Sequence, residues 1–187
     1  TQPYTDYTTS DSIIVEIGST HNLTVNVNTD GNYTVYARAW VNWNQDYDFS
    51  DAGEEYDLGS AVNTPDGPTD LSPLSITIPL TAELGKTTMR VSGKYNVASD
   101  TCETGFDGEV EYYAIIITKM QLLDSATVTI CPDDSMYVGG QWQTSAGIYY
   151  DTVFASAIAD SIYITNLSIG AVTAGTDVKH HVALTHG

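Results

Sequence analysis

The chain has 187 residues, of which 42% are hydrophobic and 16% charged, enough for a buried core in one or two domains. Acids outnumber bases 24 to 6, for a formal net charge of −18. That balance excludes nucleic acid and anionic lipid as partners, because phosphate contacts need Lys and Arg. No apolar run is long enough to cross a membrane as a helix, so no membrane insertion is expected.

Period-2 alternation dominates the chain, which is the signature of half-buried strands. Ser12–Ile17 comes first, then Asn22–Asn28, where Leu23, Val25 and Val27 face one way and Asn and Thr the other. The turn at residues 28–32 contains Asp30-Gly31, a hairpin signal. Tyr33–Val41 follows as a strand rich in aromatic and small residues. Residues 46–73, rich in Asp, Gly and Pro, predict the longest irregular stretch, and connections that long tend to be functional. Leu74–Ile78 is the next strand, and Thr81–Gly85 is the one segment with a helical look. Thr87–Tyr95 and Glu109–Thr118 continue the alternation, and Lys119–Ser125 reads as a boundary between domains. Ala126–Ile130, Ile148–Phe154, Ser161–Ile169 and Val178–Leu184 complete the series. Enrichment in Thr, Val, Ile and Tyr fits strands. The expected fold is all-β, with two β-sandwich domains in tandem, immunoglobulin-like or jelly-roll-like, over residues 1–118 and 119–187.

Leading into the irregular stretch, Asn42, Asn44, Asp46, Asp48 and Ser50 alternate oxygen-bearing side chains, followed by Asp51 and Glu54. Calcium takes six to eight oxygens from closely spaced groups of this kind. The expected ligands are Asn42, Asn44, Asp46, Asp48, Asp51 and Glu54; the competing reading is an acidic, solvated turn. Tyr47 sits where a calcium loop usually needs Gly for its sharp bend. Glu109 and Glu111 lie two apart and share a strand face, where Arg90 from a neighbouring strand is expected to pair with one of them.

Cys102 and Cys131 lack CxxC neighbours and so do not read as a metal site. Paired, they would close a loop of about 30 residues and contribute roughly 3–4 kcal/mol; unpaired, they are lone thiols. Trp40, Trp43 and Trp142 offer aromatic faces that stack on sugars, and Trp43 and Trp142 are the candidate ligand contacts. Trp40 and Trp43 lie three apart, on opposite strand faces, so at least one is expected in the core. His180 and His181 sit in the terminal strand and His186 just beyond it; adjacent strand side chains point to opposite faces, which disfavours a metal site. There is no GxSxG, HExxH, P-loop or Cys-His pairing, so no enzyme activity is expected.

Several of these segments, in order, resemble the GEVED module of secreted and cell-surface Bacteroidetes proteins. They are Tyr4-Thr5-Asp6-Tyr7, the aromatic strand with Trp40–Glu54, Ile78-Pro79, Ala82 and Gly85, Met89-Arg90-Val91, Cys102, and Gly108-Glu109-Val110-Glu111-Tyr112-Tyr113. The resemblance covers about residues 3–118. It departs from the pattern at Tyr112, Tyr47 and Asn42, which stand for an acid, a Gly and an Asp. Ile130–Trp142, Ser145–Thr152 and Ala159–Leu167 are similar to the short β-repeat of Bacteroidetes surface adhesins, over about residues 126–169. In that repeat a second Cys stands at Ala159, so the resemblance leaves Cys131 for a bond with Cys102. Five Asp-Ser/Thr-apolar triplets, at Ser12, Ser125, Ser135, Thr152 and Ser161, resemble the Bacteroidetes O-glycosylation signal.

What these resemblances imply is an extracellular, non-catalytic structural or adhesive protein of a bacterial cell surface. Its expected partners are further copies, other surface proteins or an extracellular polymer, with strand addition as one route to a filament. The alternative is a carbohydrate- or protein-polymer-binding accessory module of a secreted hydrolase.

Overall fold

A computed structural model describes residues 4–154 and 156–171; the expected strand Val178–Leu184 and its histidines lie outside them. The architecture is all-β. The chain divides into two compact units. One holds the chain as far as Met120 together with Ser156–Ala159, and the other begins at Gln121.

The first unit is a two-layer sandwich. Its larger sheet contains β1 (Tyr4–Asp6), β2 (Ser12–Glu16), β5 (Thr34–Val41), β6 (Glu55–Val62), β9 (Gly85–Tyr95) and β10 (Gly108–Thr118). The spatial order is β1-β10-β9-β5-β6, and β2 also pairs with β10. β1 and β2 both run parallel to β10, one after the other along its length, from Tyr4 beside Val110 to Glu16 beside Thr118. The other pairings in this sheet are antiparallel. The smaller layer consists of β3 (Thr20–Leu23) paired with β8 (Leu74–Thr77), and β4 (Asn26–Val27) paired with β7 (Gly67–Pro68).

Alternation decides which side chains fill the space between the layers. On β5, Ala37, Ala39 and Val41 point inward, and they meet Met89 and Val91 of β9, Ile115 and Ile117 of β10, and Ile76 of β8. Leu58 of β6 is fully buried in the same cluster. Each such aliphatic side chain contributes roughly 1.5–3 kcal/mol by leaving water.

The outer face of the large sheet is covered as well, by the connection between β9 and β10. Trp40 points outward yet is fully buried. The Arg90 guanidinium stacks 5.7 Å from the Trp40 ring and 5.6 Å from the Tyr112 ring. It donates to the Tyr112 hydroxyl at 2.8 Å and to the Glu103 carbonyl at 2.9 Å. Arg38 donates to the Ser99 carbonyl, and the Ser99 hydroxyl donates to Ser92. Lys94 pairs with the Glu103 carboxylate. The expected pairing of Arg90 with Glu109 or Glu111 does not occur: Arg90 stands opposite Tyr112 in the ladder, on the other face from both acids.

Gly108, which opens β10, has a steric role. A Cβ there would fall 2.1 Å from the Gly93 carbonyl oxygen and 2.9 Å from the Lys94 Cα. Only a residue without a side chain lets the two strands close at this point.

The second unit is built on a sheet ordered β11 (Met120–Ile130), β15 (Ala159–Ile169), β14 (Gly147–Phe154). β14 and β15 are antiparallel. β12 (Met136–Val138) and β13 (Gln141–Gln143) form a hairpin. This hairpin packs on the face that carries Tyr149, Asp151, Thr165 and Leu167, where the Gly139 amide donates to the Asp151 carboxylate at 3.0 Å. Thr165 and Leu167 are buried there.

Two expectations are corrected. Residues 55–62 form β6 rather than part of an irregular stretch, so the long connection ends at Glu54. Thr81–Gly85 contains no helix; Ala82 donates to the Pro79 carbonyl in a simple turn. Within Lys119–Ser125 the two units divide, between Met120 and Gln121, at the start of the strand Met120–Ile130.

Candidate functional site

The acidic loop is the connection between β5 and β6, residues 42–54. Its two ends are held by the ladder, with the Val41 amide donating to the Glu54 carbonyl at 2.9 Å. The Asn42 amide donates to the Thr88 carbonyl, and the Asn42 carbonyl accepts from the Thr87 hydroxyl. Gln45 reaches across to the Glu83 carbonyl at 2.9 Å. The loop is therefore anchored at its base and at one flank.

Between these anchors, side-chain oxygens cap the backbone at every second residue. Asn44 Oδ1 accepts from the Asp46 amide, Asp46 Oδ1 from the Asp48 amide, and Asp48 Oδ1 from the Ser50 amide and hydroxyl. Such Asx turns coil the loop and turn its carboxylates inward. Asp46, Asp48 and Asp51 each present a carboxylate oxygen within 4.8 Å of the others. The Asn44 amide nitrogen donates to Asp46 at 3.0 Å and to Asp51 at 2.6 Å. The two Ser50 hydrogen bonds, first from its amide and then from its hydroxyl, hold Asp48 below the usual carboxylate range.

Below this exposed group lies Glu54, only 2% exposed. Its Oε1 accepts from the Trp43 amide at 2.7 Å, while its Oε2 is buried without a hydrogen-bond partner. Burial pushes its pKa up, and the charges of Asp51 and Asp46 add to that against the Trp43 hydrogen bond. Asn42 is 7% exposed, and its Oδ1 is likewise buried without a partner. The sequence reading of the loop thus brings together Asp46, Asp48 and Asp51 at the surface with Asn44 between them. Glu54 and Asn42 stand at its buried base.

Tyr47 takes a φ of 76° and is 98% exposed. It adopts the left-handed bend that a glycine would make, at a cost of roughly 1–2 kcal/mol. Replacing Gly by Tyr at this position therefore leaves the turn in place.

Residues 36–116 match the GEVED domain family. The GEVED span takes in β5 to β10, and so the acidic loop, the Arg90 stack and the Gly108–Tyr113 motif all lie within it. It stops short of residues 126–169. No curated protein matches the chain.

In the GEVED motif itself, Glu109 and Glu111 face the groove between β4 and β10, with Asp107 and the apolar side chains of Val25, Val35 and Val91. The groove holds about 390 Å³. Glu111 accepts from the Tyr113 hydroxyl at 2.7 Å. Partial burial raises the pKa of Glu109, and the charge of Glu111 and a hydrogen bond with it push further in the same direction. Tyr113 is pushed up for the same reasons, burial first and then Glu111.

The remaining sequence candidates are scattered. Trp43 does not offer a ligand face: it is 5% exposed and its indole donates to the Tyr56 hydroxyl at 2.9 Å. Both Trp40 and Trp43 are core residues, because the connection between β9 and β10 buries the one that points outward. Trp142 is 68% exposed and stacks edge-on against exposed Tyr137, with ring centroids 5.6 Å apart. Cys102 and Cys131 are both exposed and free. Ser12, Ser125, Ser135 and Thr152 are exposed, and Ser161 is half-buried.

What the sequence reading missed is a face of the second unit. Ile148 and Tyr150 of β14 share a side with Ile162 and Ile164 of β15, opposite the hairpin. Ile148 is 59% and Tyr150 61% exposed. The signal was present as the alternate residues of two neighbouring strands, apolar on both faces.

Proposed function

We propose that the chain is a non-catalytic structural or adhesive β protein of a bacterial cell surface, whose copies associate through the second unit. The observation that carries this reading is the Ile148–Tyr150–Ile162–Ile164 face, an aromatic and aliphatic patch on a sheet whose other face is already packed. Monomeric surfaces rarely leave contiguous apolar area of this kind without a partner. The GEVED span and the adhesin-like repeat, both resembling modules of surface proteins, agree with it. Strand addition at a sheet edge is the route by which such a patch would extend into a filament.

A second reading rests on the Trp142–Tyr137 pair, which presents two exposed rings at one hairpin. That arrangement suits stacking on a sugar and fits an accessory module of a secreted hydrolase.

Sedimentation and electron microscopy across a concentration series separate the two. Association that is abolished in an Ile148→Glu/Tyr150→Glu variant supports the structural reading. A strictly monomeric chain that binds an insoluble glycan, and loses that binding with Trp142→Ala, replaces it with the second.

A further inference from the structure

We infer that the β5–β6 loop is a calcium site in which Asp46, Asp48 and Asp51 supply carboxylate oxygens from the surface and Glu54 closes the site from its buried base. This inference is independent of whether the chain assembles.

Three exposed acids close together do not make a site, since water and salt can solvate them. The buried base is the separate observation. Glu54 is almost wholly enclosed, and one of its oxygens meets no donor. A buried carboxylate is costly unless it is paired or coordinates a metal. The Trp43 amide holds Oε1, and Oε2 is buried with no hydrogen-bond partner among the described residues. Among the described residues, no ion pair involves any of these four acids. Asn42 adds a second enclosed, unpartnered oxygen at the same end of the loop.

Asn44 shows where positive charge is wanted. Its amide nitrogen lies between Asp46 and Asp51 and donates to both. The N–H groups of one neutral amide are the local counterweight to two full charges. A cation does that job better, and rotation of the amide would then offer its oxygen as a further ligand.

The chemistry of the donors selects the ion. All are oxygens, with no His or Cys in the loop, which disfavours zinc and copper. Carboxylates carried on an exposed coil suit the larger, geometrically tolerant calcium ion, whereas magnesium demands a near-ideal octahedron and keeps its waters. Anchoring at the base and at Gln45 sets the separation of the ligands before binding.

The test uses the whole chain after chelation, titrated with calcium chloride by calorimetry and thermal denaturation, with magnesium chloride at equal ionic strength as control. Terbium luminescence excited through tryptophan is the second readout, since the Trp43 amide touches Glu54. One calcium per chain is expected, with a dissociation constant of about 10⁻⁴–10⁻³ M if the site behaves as other extracellular modules do. Asp46→Asn/Asp48→Asn, both at exposed positions, should fold normally and bind at least about tenfold more weakly. Glu54→Gln should weaken binding as well. Equal thermal stabilisation by magnesium and calcium would overturn the inference, as would unchanged affinity in the double variant. Unchanged affinity in Glu54→Gln alone would remove Glu54 from the site.

Discussion

Replacing Arg90 tests whether the outer face of the first unit is held by one planar cation. Arg90 is 4% exposed, donates to Tyr112 and to the Glu103 carbonyl, and lies against two aromatic rings. Hydrogen bonds from a charged donor are worth about 1.5–3 kcal/mol each. The two ring contacts add roughly 1–2 kcal/mol each where water is excluded. Against this stands the cost of burying a guanidinium, several kcal/mol, which its removal would return. The balance for Arg90→Ala is a loss of about 3 kcal/mol. At about 4 °C per kcal/mol for a domain of this size, the melting temperature falls by ~12 °C. Arg90→Lys should recover no more than a third of the loss, because an ammonium cannot donate in a fork while stacking flat between two rings. Urea and thermal denaturation followed by circular dichroism give both numbers. A loss below about 1 kcal/mol in Arg90→Ala, or a lysine variant as stable as the natural chain, would refute the clamp.

Three further outcomes are expected. Glu109→Gln should stabilise the first unit at neutral pH and make no difference well below the carboxylate range. The raised pKa of Glu109 means that the folded state loses stability as pH rises through it, and the amide removes that loss; a melting-temperature series against pH reads the difference. Gly108→Ala should cost about 3 kcal/mol or leave the unit unfolded, because the added Cβ meets strand backbone that cannot rotate away; equal stability in denaturant would contradict it. Both cysteines should react with a thiol reagent in the native protein, giving two equivalents without denaturant; fewer than two would contradict their exposure.

The strands of the first unit were largely legible because the period-2 signal is strong wherever one face is buried. β5, β9 and β10 fall within two residues of where alternation placed them. β6 was hidden because Glu55, Asp57 and Gly59 look like loop residues, and only pairing with β5 makes them a strand edge. β11 was missed at its start for a similar reason: its first residues are exposed, so no alternation marks them. For the candidate site, the spacing Asn44-x-Asp46-x-Asp48 gave the surface acids. The burial of Glu54 could not be read from the sequence, because it depends on Trp43 filling the core directly beside it. The error over Trp43 has the same root. Three residues from Trp40 it must point the other way, but nothing local says that the outer face is covered too.

The chain enters the first unit along β1 and β2 and leaves it along β10, with all three strands pointing the same way. Tyr4 and Thr118 therefore lie at opposite ends of a ladder that runs from Val110 to Thr118 of β10, about 27 Å. Tension applied between these two points would slide the strands lengthwise past each other. In that geometry the hydrogen bonds share the load and must rupture together, where an antiparallel hairpin pulled from its open end would peel apart one bond at a time. Pulled at those two points, the first unit would therefore resist in shear along β10.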